Sequence, residues 1–232
     1  MSRGFKLSRS EGTDASDGKV RAAWARKIQV TGVESSKRVD LRLYDGSRHQ
    51  PGAGLLRRIL WYSANAVVFD SWLCPPYVVK RLLLRMFGAH IGVGVTIKPK
   101  VNIKYPWKLQ IGDWSWIGER VWIDNIGLVS IGSHCCLSQG AYLCTGNHDW
   151  SDPRFALQVG PITIADQAWI GAFAVVAPGV SVAEGSVVAA GSILTHNTEP
   201  WVIYAGNPAV AVRKREVREA SSRLASAVGE AK

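Results

Sequence analysis

An aliphatic side chain recurs at every sixth position near the C-terminal end of the chain. The positions are Ile164, Ile170, Val176, Val182, Val188 and Leu194, and alanine or glycine follows each of the first five. An α-helix repeats every 3.6 residues and an ordinary strand every two, so neither produces this period. A period of six is typical of a β-helix in which three hexapeptides form one triangular coil. The aliphatic residue then points inward, and the small residue permits a tight corner.

The same period occurs upstream, where interruptions divide it into coils. Three triplets of aliphatic residues have this spacing, with two extra residues between triplets: Ile91, Ile97, Ile103; Ile111, Ile117, Ile123; Ile131, Leu137, Leu143. The pattern stops from about Asn147 to Gly160 and resumes at Ile164. The sequence therefore predicts an all-β domain over residues 91–199, a parallel β-helix of about five coils of 18 residues. A long loop, 147–163, leaves it between the third and fourth coils.

The segments that flank the repeats have other patterns. Residues 1–54 are polar and basic, and we expect a flexible N-terminal region in which only VDLRLY (39–44) alternates like a short strand. Residues 200–232 form a C-terminal segment, with a short helix predicted from near Arg213. The β-helix is thus the one large folded unit that the pattern predicts.

Residues 55–90 predict a helical cap over the first coil. The stretch YVVKRLLLRMFGA separates apolar from basic positions on a helix: Val79, Leu82, Leu83 and Met86 against Lys80, Arg81 and Arg85. Such a cap would cover the open end of the coils, which otherwise invites association. A basic amphipathic surface lying on a membrane, formed by residues 55–87, is the alternative interpretation. The apolar stretch at its start is too short and too polar for a transmembrane helix.

Charge and cysteine content narrow the class of protein. The formal net charge is +10, but residues 91–212 carry only −2, so the basic residues are concentrated in the flanks. The four cysteines include no CxxC pair, which argues against a zinc site and a disulfide framework. The N-terminus lacks an apolar signal segment, so we expect a cytoplasmic protein. No metal and no nucleic-acid partner are expected.

Several motifs in and beside the repeats resemble those of the left-handed β-helix acetyltransferases: TGNHD (145–149), AWIGAFAVVAPGV (168–180), VAAGSIL (188–194) and AGNPA (205–209). Two longer stretches, 98–123 and 137–155, are more similar to the colanic-acid-type exopolysaccharide O-acetyltransferases. The resemblance covers roughly residues 55–215. It implies a left-handed β-helix, acetyl-CoA as donor and a sugar or glycan acceptor. A β-helix with flat sides commonly assembles as a trimer, so we expect a homotrimer with active sites between subunits. The basic and aromatic residues 55–87 favour contact with the inner face of the membrane, where a lipid-linked acceptor would lie.

One histidine fits the chemistry of acetyl transfer. A sugar hydroxyl must lose its proton as it attacks a thioester carbonyl, and a neutral histidine is the best single base near neutral pH. His148 is the histidine in the long loop, where it can overhang a cleft between subunits. The resemblance also puts the catalytic base there. Cys144 follows inward-pointing Leu143, so we interpret it as a packing residue and not as a nucleophile.

The resemblance also implies a binding site for each substrate. The pantetheine arm would pass Ala172 and Ala190, and the adenine end would meet Thr195, His196 and Arg213. Position 196 usually carries lysine in this family, so His196 is a departure for which Arg213 and Lys214 can compensate. For the acceptor, the candidates are Asn125, one coil below the loop, and Asp149 and Trp150 beside His148. Asp149 is also a candidate for orienting the imidazole.

Two other classes of function are alternatives to acetyl transfer, and the sequence argues against the first of them. A metal-dependent carbonic anhydrase on this fold needs three histidines around a metal, and the spacing of His134 and His148 does not supply them. A non-catalytic hexapeptide scaffold would need neither His148 nor the small corner residues. Within the acetyltransferases, a small non-sugar acceptor such as an amino acid or an antibiotic is the alternative to a sugar.

Overall fold

The computed structural model describes residues 38–46, 49–73 and 75–217. The expected flexible region at 1–37 and most of the predicted C-terminal helix lie outside these residues. Within them the chain forms a left-handed parallel β-helix, as predicted. Two helices, α1 (Leu55–Ala64) and α2 (Tyr77–Met86), precede it, with a π-helical segment, Asn65–Phe69, directly after α1.

Short strands form three parallel sheets, one on each side of the triangular coil; one antiparallel strand is added at the edge of the second sheet, and two further strands form a separate antiparallel hairpin. In chain order they are β1 His90–Ile91, β2 Thr96–Ile97, β3 Asn102–Ile103, β4 Leu109–Ile111, β5 Trp116–Ile117, β6 Trp122–Asp124, β7 Val129–Ile131, β8 Cys136–Leu137, β9 Tyr142–Cys144, β10 Gly146–His148, β11 Leu157–Val159, β12 Ile162–Ile164, β13 Trp169–Ile170, β14 Val175–Val176, β15 Ser181–Val182, β16 Val187–Val188, β17 Ile193–Leu194, β18 Val202–Gly206 and β19 Ala209–Lys214. Sheet 1 has the order β1-β4-β7-β12-β15, sheet 2 β19-β18-β16-β13-β8-β5-β2, and sheet 3 β17-β14-β9-β6-β3. Five coils thus contribute a strand to each sheet, and β18 begins a sixth turn, so the structure has one turn more than the predicted number of about five.

The six-residue period places the inward-pointing residues of successive coils in register with one another. On sheet 2, Ile97, Ile117, Leu137, Ile170 and Val188 pair one above the other in successive strands, and each is fully buried. Strands of two or three residues are too short to be stable alone, so each is stabilised by its neighbours in the stack. The two extra residues of the first coil are accommodated by a 3₁₀ turn, Pro106–Lys108. The repeat therefore keeps its inward positions despite unequal coil lengths.

Aromatic side chains cover glycines at the corners between sheets. A side chain added at Gly94 would collide with the ring of Trp114, one coil away. The same relation joins Gly140 to Phe173 and Gly185 to Trp201. All six residues have positive φ, a region that glycine adopts freely and other residues enter at a cost. In each pair the aromatic ring occupies the space at the corner that the glycine leaves free because it has no side chain.

The second cap helix, α2, is amphipathic as predicted, but its orientation is the reverse of the one expected for a cap that packs by its apolar face. In α2, Lys80 and Leu84 are fully buried, whereas Val78, Val79, Leu82 and Met86 face outward. The reason is the open end of the first coil, which presents backbone carbonyls. Lys80 Nζ donates to Lys98 O at 3.0 Å and Arg81 to Val95 O at 2.9 Å. The cationic side chains therefore point inward as hydrogen-bond donors.

Two predictions about the flanks are wrong. Residues 39–44 do not form a strand, because Asp40 caps a short 3₁₀ turn at Leu41–Leu43 by accepting from the backbone N–H of Arg42. A helix does not begin at Arg213, because Arg213 and Lys214 end β19, which pairs antiparallel with β18. This hairpin covers the last edge of sheet 2. In the described part of the chain, no helix has the length and hydrophobicity needed to span a bilayer.

Candidate active site

His148 lies on a β-hairpin that projects from the third coil. The hairpin pairs β10 with β11 in antiparallel register, with His148 opposite Leu157. It leaves the coil between sheet 3 and sheet 1, at a corner that we call the hairpin corner. Its tip is closed by Asp149, whose Oδ1 accepts from the backbone N–H and the hydroxyl of Ser151 at 2.9 and 2.5 Å. These hydrogen bonds hold the pKa of the Asp149 carboxyl below its usual value.

The hairpin holds the imidazole of His148 in one orientation. Its Nδ1 lies 2.8 Å from the backbone carbonyl oxygen of Phe155. A carbonyl only accepts, so this contact assigns the proton to Nδ1 and leaves the lone pair on Nε2. The Phe155 ring stacks on the imidazole at 4.3 Å between centroids and an angle of 7°. A histidine fixed in this tautomer has the arrangement that a general base needs.

Tyr44, from the segment before the helices, contacts His148 as well. The centroids of the two rings are 5.7 Å apart, at an angle of 58°. The segment is held on the hairpin by the backbone N–H of Asp40, which donates to Pro153 O at 2.9 Å. Sequence reasoning missed both Tyr44 and Phe155. Nothing in the pattern of residues 38–46 indicates a contact with a loop a hundred positions further on.

The residues predicted to bind pantetheine line a second corner, between sheets 2 and 3, which we call the alanine corner. Ala172 and Ala190 occupy it in successive coils, joined by the hydrogen bond from Gly191 N to Ala172 O at 2.8 Å. A Cβ at Gly171 would lie 2.6 Å from Ala190 N, so the backbones approach closely here. Ala190 is exposed and Ala172 is half-buried, so both small side chains are at the surface of this corner.

The residues predicted to bind the adenine end are exposed near the last coils. Thr195 and His196 follow β17 at the hairpin corner, and the imidazole of His196 meets the Tyr204 ring edge-on at 6.0 Å. Arg213 is exposed in β19, opposite Ile203. The single chain therefore keeps two groups apart: His148, Thr195 and His196 at the hairpin corner, and Ala172 and Ala190 at the alanine corner. One side of the triangle separates them, roughly 15 Å for four or five extended residues.

The three acceptor candidates have different environments. Trp150 is 80% exposed at the hairpin tip. Asp149 uses a carboxylate oxygen to close the tip and makes no hydrogen bond to the imidazole among those described. Asn125 is fully buried, and its amide nitrogen donates to Tyr105 O and Lys108 O while its oxygen accepts from Tyr105 N. This geometry does not support Asn125 as an acceptor ligand, because its amide is already bonded.

A cleft of about 260 Å³ lies at the alanine corner of the lower coils. Its lining includes Trp116, Glu119, Ser138 and Gln139. Trp169, two strands above Trp116 on sheet 2, donates from Nε1 to Ser138 Oγ at 2.8 Å. Among the described residues, no group of three or more His, Cys, Asp or Glu side chains is placed to hold a metal ion.

Comparison with known proteins agrees with this architecture. Residues 161–196 match the family model described as "Bacterial transferase hexapeptide (six repeats)". The chain is 41% identical over 167 residues to WcaF of Escherichia coli K12, assigned to colanic acid biosynthesis as an acetyltransferase; the match covers 71% of the chain and 90% of WcaF. It is 31% identical over 150 residues to the galactoside O-acetyltransferase of the same organism, covering 62% and 73%.

Solved structures show the same fold. A galactoside acetyltransferase in complex with coenzyme A matches with a TM-score of 0.62 and 26% identity, over 69% of this chain and 82% of that one. A hexapeptide-repeat acetyltransferase of Vibrio cholerae, complexed with acetyl coenzyme A, matches with a TM-score of 0.65 and 22% identity, over 78% and 98%. Fold and repeat together define a hexapeptide-repeat transferase. Its similarity to nearly all of WcaF goes further: the chain belongs to the WcaF-like family of acetyltransferases.

Proposed function

We propose that the protein transfers an acetyl group from acetyl-CoA to a sugar hydroxyl, with His148 as the general base. The observation that carries this proposal is the hydrogen bond of His148 Nδ1 to Phe155 O, because it leaves Nε2 as a proton acceptor. Nε2 takes the proton of the acceptor hydroxyl as its oxygen attacks the thioester carbonyl. The carbon–sulfur bond then breaks, and the departing sulfur takes the proton from the imidazolium. No covalent enzyme intermediate is needed.

The donor is proposed to lie along the alanine corner. Ala172 and Ala190 of one subunit would admit the pantetheine arm, while Thr195 and His196 at the hairpin corner of the adjacent subunit, with Arg213, would meet the phosphates and the adenine end. The hairpin corner and the alanine corner are apart in one chain, so we propose that a homotrimer joins the hairpin of one subunit to the alanine corner of the next. Structures that contain coenzyme A on this fold support the choice of donor.

The acceptor is proposed to be a sugar of an exopolysaccharide or another surface glycan. Similarity to WcaF and to a galactoside O-acetyltransferase supports a glycan-type acceptor. Trp150 and Tyr44, both exposed beside His148, offer rings on which a sugar can stack. A reaction that uses acetyl-CoA is expected in the cytoplasm. Lipid-linked acceptors at the inner face of the membrane belong to the proposed substrate class.

Replacing His148 tests the mechanism. In His148→Ala we expect kcat for acetyl transfer to fall by about 10²- to 10⁴-fold while the KM for acetyl-CoA changes little, because the base acts in the chemical step. His90→Ala, which removes an exposed histidine at the first coil, is the matched control and should keep wild-type activity. Acceptors to compare are free sugars, lipid-linked glycans, amino acids and chloramphenicol.

Three results would contradict the proposal. An active His148→Ala variant would exclude His148 as the base. Transfer only to an amino acid or an antibiotic would replace the sugar with a small acceptor. A folded protein that binds no coenzyme A and transfers nothing would be a scaffold.

A further inference from the structure

The outward surface of the helical cap is apolar. In α1 the exposed side chains include Leu55, Leu56, Ile59 and Leu60, and Leu56 is 71% exposed. In α2 the exposed ones include Val78, Val79, Leu82 and Met86, and Met86 is 78% exposed. On each helix these positions lie on the side opposite the buried Trp61 or Leu84. We call the eight exposed residues the apolar plate.

The apolar plate faces away from the solenoid along its axis. The helices lie against the first coil: α2 contacts β1 and β2, and the π-helical segment contacts β3. Their polar groups are directed at that coil, as Trp61 Nε1 donates to Ile103 O and Arg85 to Ile91 O, both at 2.9 Å. The face of the two helices that carries these donors is thus hydrogen-bonded to the first coil. The other face, which is apolar, is left at the end of the molecule.

The charge of the chain is divided along the same axis. Residues 55–108, which form the cap and the first coil, contain nine Lys or Arg and one Asp, a formal net charge of +8. Residues 109–212, which form the remaining coils, contain two Arg and eight Asp or Glu, a net charge of −6. A long-range field of this kind orients the molecule with its cap toward a negatively charged surface. The apolar plate lies at the positive end.

We propose that the apolar plate seats the protein on an anionic lipid bilayer. An interfacial surface of this type combines apolar side chains that enter the headgroup region with nearby basic charge. A second copy docked plate to plate would bring two +8 ends together, which disfavours this occupant.

The position of His148 fits this orientation. The hairpin leaves the third coil, two strand spacings or roughly 10 Å above the first coil, and the helix layer adds roughly 10 Å. The base would therefore lie about 20 Å from the surface, within reach of a glycan on a lipid carrier. This consequence for the acceptor rests on the proposed function, whereas bilayer binding does not. In the proposed trimer, three plates would face one membrane together.

Vesicle co-sedimentation of the full chain tests the proposal without any substrate. Wild-type protein is expected to bind phosphatidylcholine vesicles that contain phosphatidylglycerol, and to bind more weakly at high salt or to phosphatidylcholine alone. The triple variant Leu56→Gln, Ile59→Gln, Leu82→Gln should lower the partition coefficient about tenfold or more. These side chains are exposed, so the fold should be retained, as circular dichroism would check.

The matched control is Val93→Gln, Leu128→Gln, Val210→Gln, which changes three exposed apolar residues outside the plate and should bind like the wild type. His148→Ala should also bind like the wild type, which separates this test from that of the catalytic proposal. The inference is overturned if wild-type protein stays in solution with anionic vesicles, or if the triple variant binds as well as the control. Loss of oligomeric state in the triple variant, seen by light scattering, would assign the plate to subunit contacts instead.

Discussion

His148 is held between two aromatic rings, and only one of them belongs to its own hairpin. Phe155 stacks on the imidazole and also supplies the carbonyl that fixes Nδ1. Tyr44 reaches it from a segment that precedes the cap helices. We expect Tyr44→Ala to lower kcat/KM by about three- to tenfold, because the imidazole gains freedom and the acceptor loses a ring contact. Steady-state kinetics with varied acceptor concentration would measure this.

Two further variants make the Tyr44 prediction specific. Tyr44→Phe keeps the ring and should retain most of the activity. Leu43→Ala changes the neighbouring exposed side chain and should have no effect. If Tyr44→Phe is as impaired as Tyr44→Ala, the hydroxyl and not the ring is responsible. Equal activity of all three would mean that the segment has no part in the site.

Cys135 gives a prediction for alkaline stability. Burial raises the pKa of its thiol from 9.0 to about 11. The folded-state pKa lies above the unfolded one, so the thiol ionises more readily in the unfolded chain. The stability that the buried neutral thiol contributes is therefore complete below pH 9 and is lost as the pH rises toward 11. We expect wild-type protein to lose more stability across this range than Cys135→Ala, measured by urea unfolding on both sides of it. Equal losses in the two proteins would contradict the assignment.

At the scale of elements, Asp149 has two possible roles in the hairpin: it can close the tip, or it can orient the imidazole of His148. In the structure, Asp149 Oδ1 accepts hydrogen bonds from Ser151 and so closes the tip. The imidazole of His148 is oriented by Phe155 O and not by Asp149. Asp149→Asn keeps an acceptor oxygen and should retain nearly full kcat. Asp149→Ala loses those hydrogen bonds and should lower kcat severalfold by loosening the hairpin. If Asp149→Asn is as slow as Asp149→Ala, the charge itself acts on the reaction.

The sequence predicted the elements of the β-helix because one inward position in six is a strong constraint. Ile97, Ile117 and Leu137 must be apolar for the coils to stack, so the register was visible without a structure. The amphipathicity of α2 was visible for the same reason. Its orientation was not, because Lys80 and Arg81 point inward to satisfy carbonyls of another segment. Hydrophobic pattern alone does not report where a neighbouring edge needs donors.

At the scale of the whole molecule, the separation of the two corners gives a test of assembly. His148→Ala damages the hairpin corner, and Ala190→Trp would block the alanine corner. If each active site joins these corners from adjacent subunits, a randomly mixed trimer of the two variants keeps both corners intact in about one site in four. We therefore expect mixing to restore about a quarter of wild-type activity, although each variant alone is inactive.

The mixing experiment needs proof that subunits exchange. Two affinity tags, one on each variant, would isolate the mixed trimers, each of which has one intact site of three, so their expected activity is about a third of wild type and that of the unfractionated mixture about a quarter. Tagged wild-type subunits mixed with untagged ones are the control for loss on handling. Mixed trimers without activity would place the whole site in a single chain.

The candidate site was predictable from the sequence only in part. His148 stands out by its place in the loop that interrupts the repeats, whereas Ala172 and Ala190 are assigned through the resemblance to the β-helix acetyltransferases, and the roles of all three stay predictions. Asn125 was a candidate acceptor ligand because it lies one coil below the loop, but its amide nitrogen is hydrogen-bonded to the backbone at Tyr105 and Lys108, on either side of the 3₁₀ turn. Tyr44 lies far from the repeats in sequence, so no local pattern indicates its contact. The repeat pattern therefore locates residues that belong to the coils, but it does not indicate which residues of other segments contact them.

The aromatic–glycine corners make the coils unequal, although the repeat looks uniform. Trp114 covers Gly94, Phe173 covers Gly140, and Trp201 covers Gly185, so each coil suits a particular neighbour. Deleting the coil that carries Trp114 would set His134 against Gly94 and leave a void. Duplicating it would stack Trp114 on a second Trp114, with no glycine beneath the upper ring. Gain or loss of that coil therefore calls for a matching change in the corner residues that it brings together.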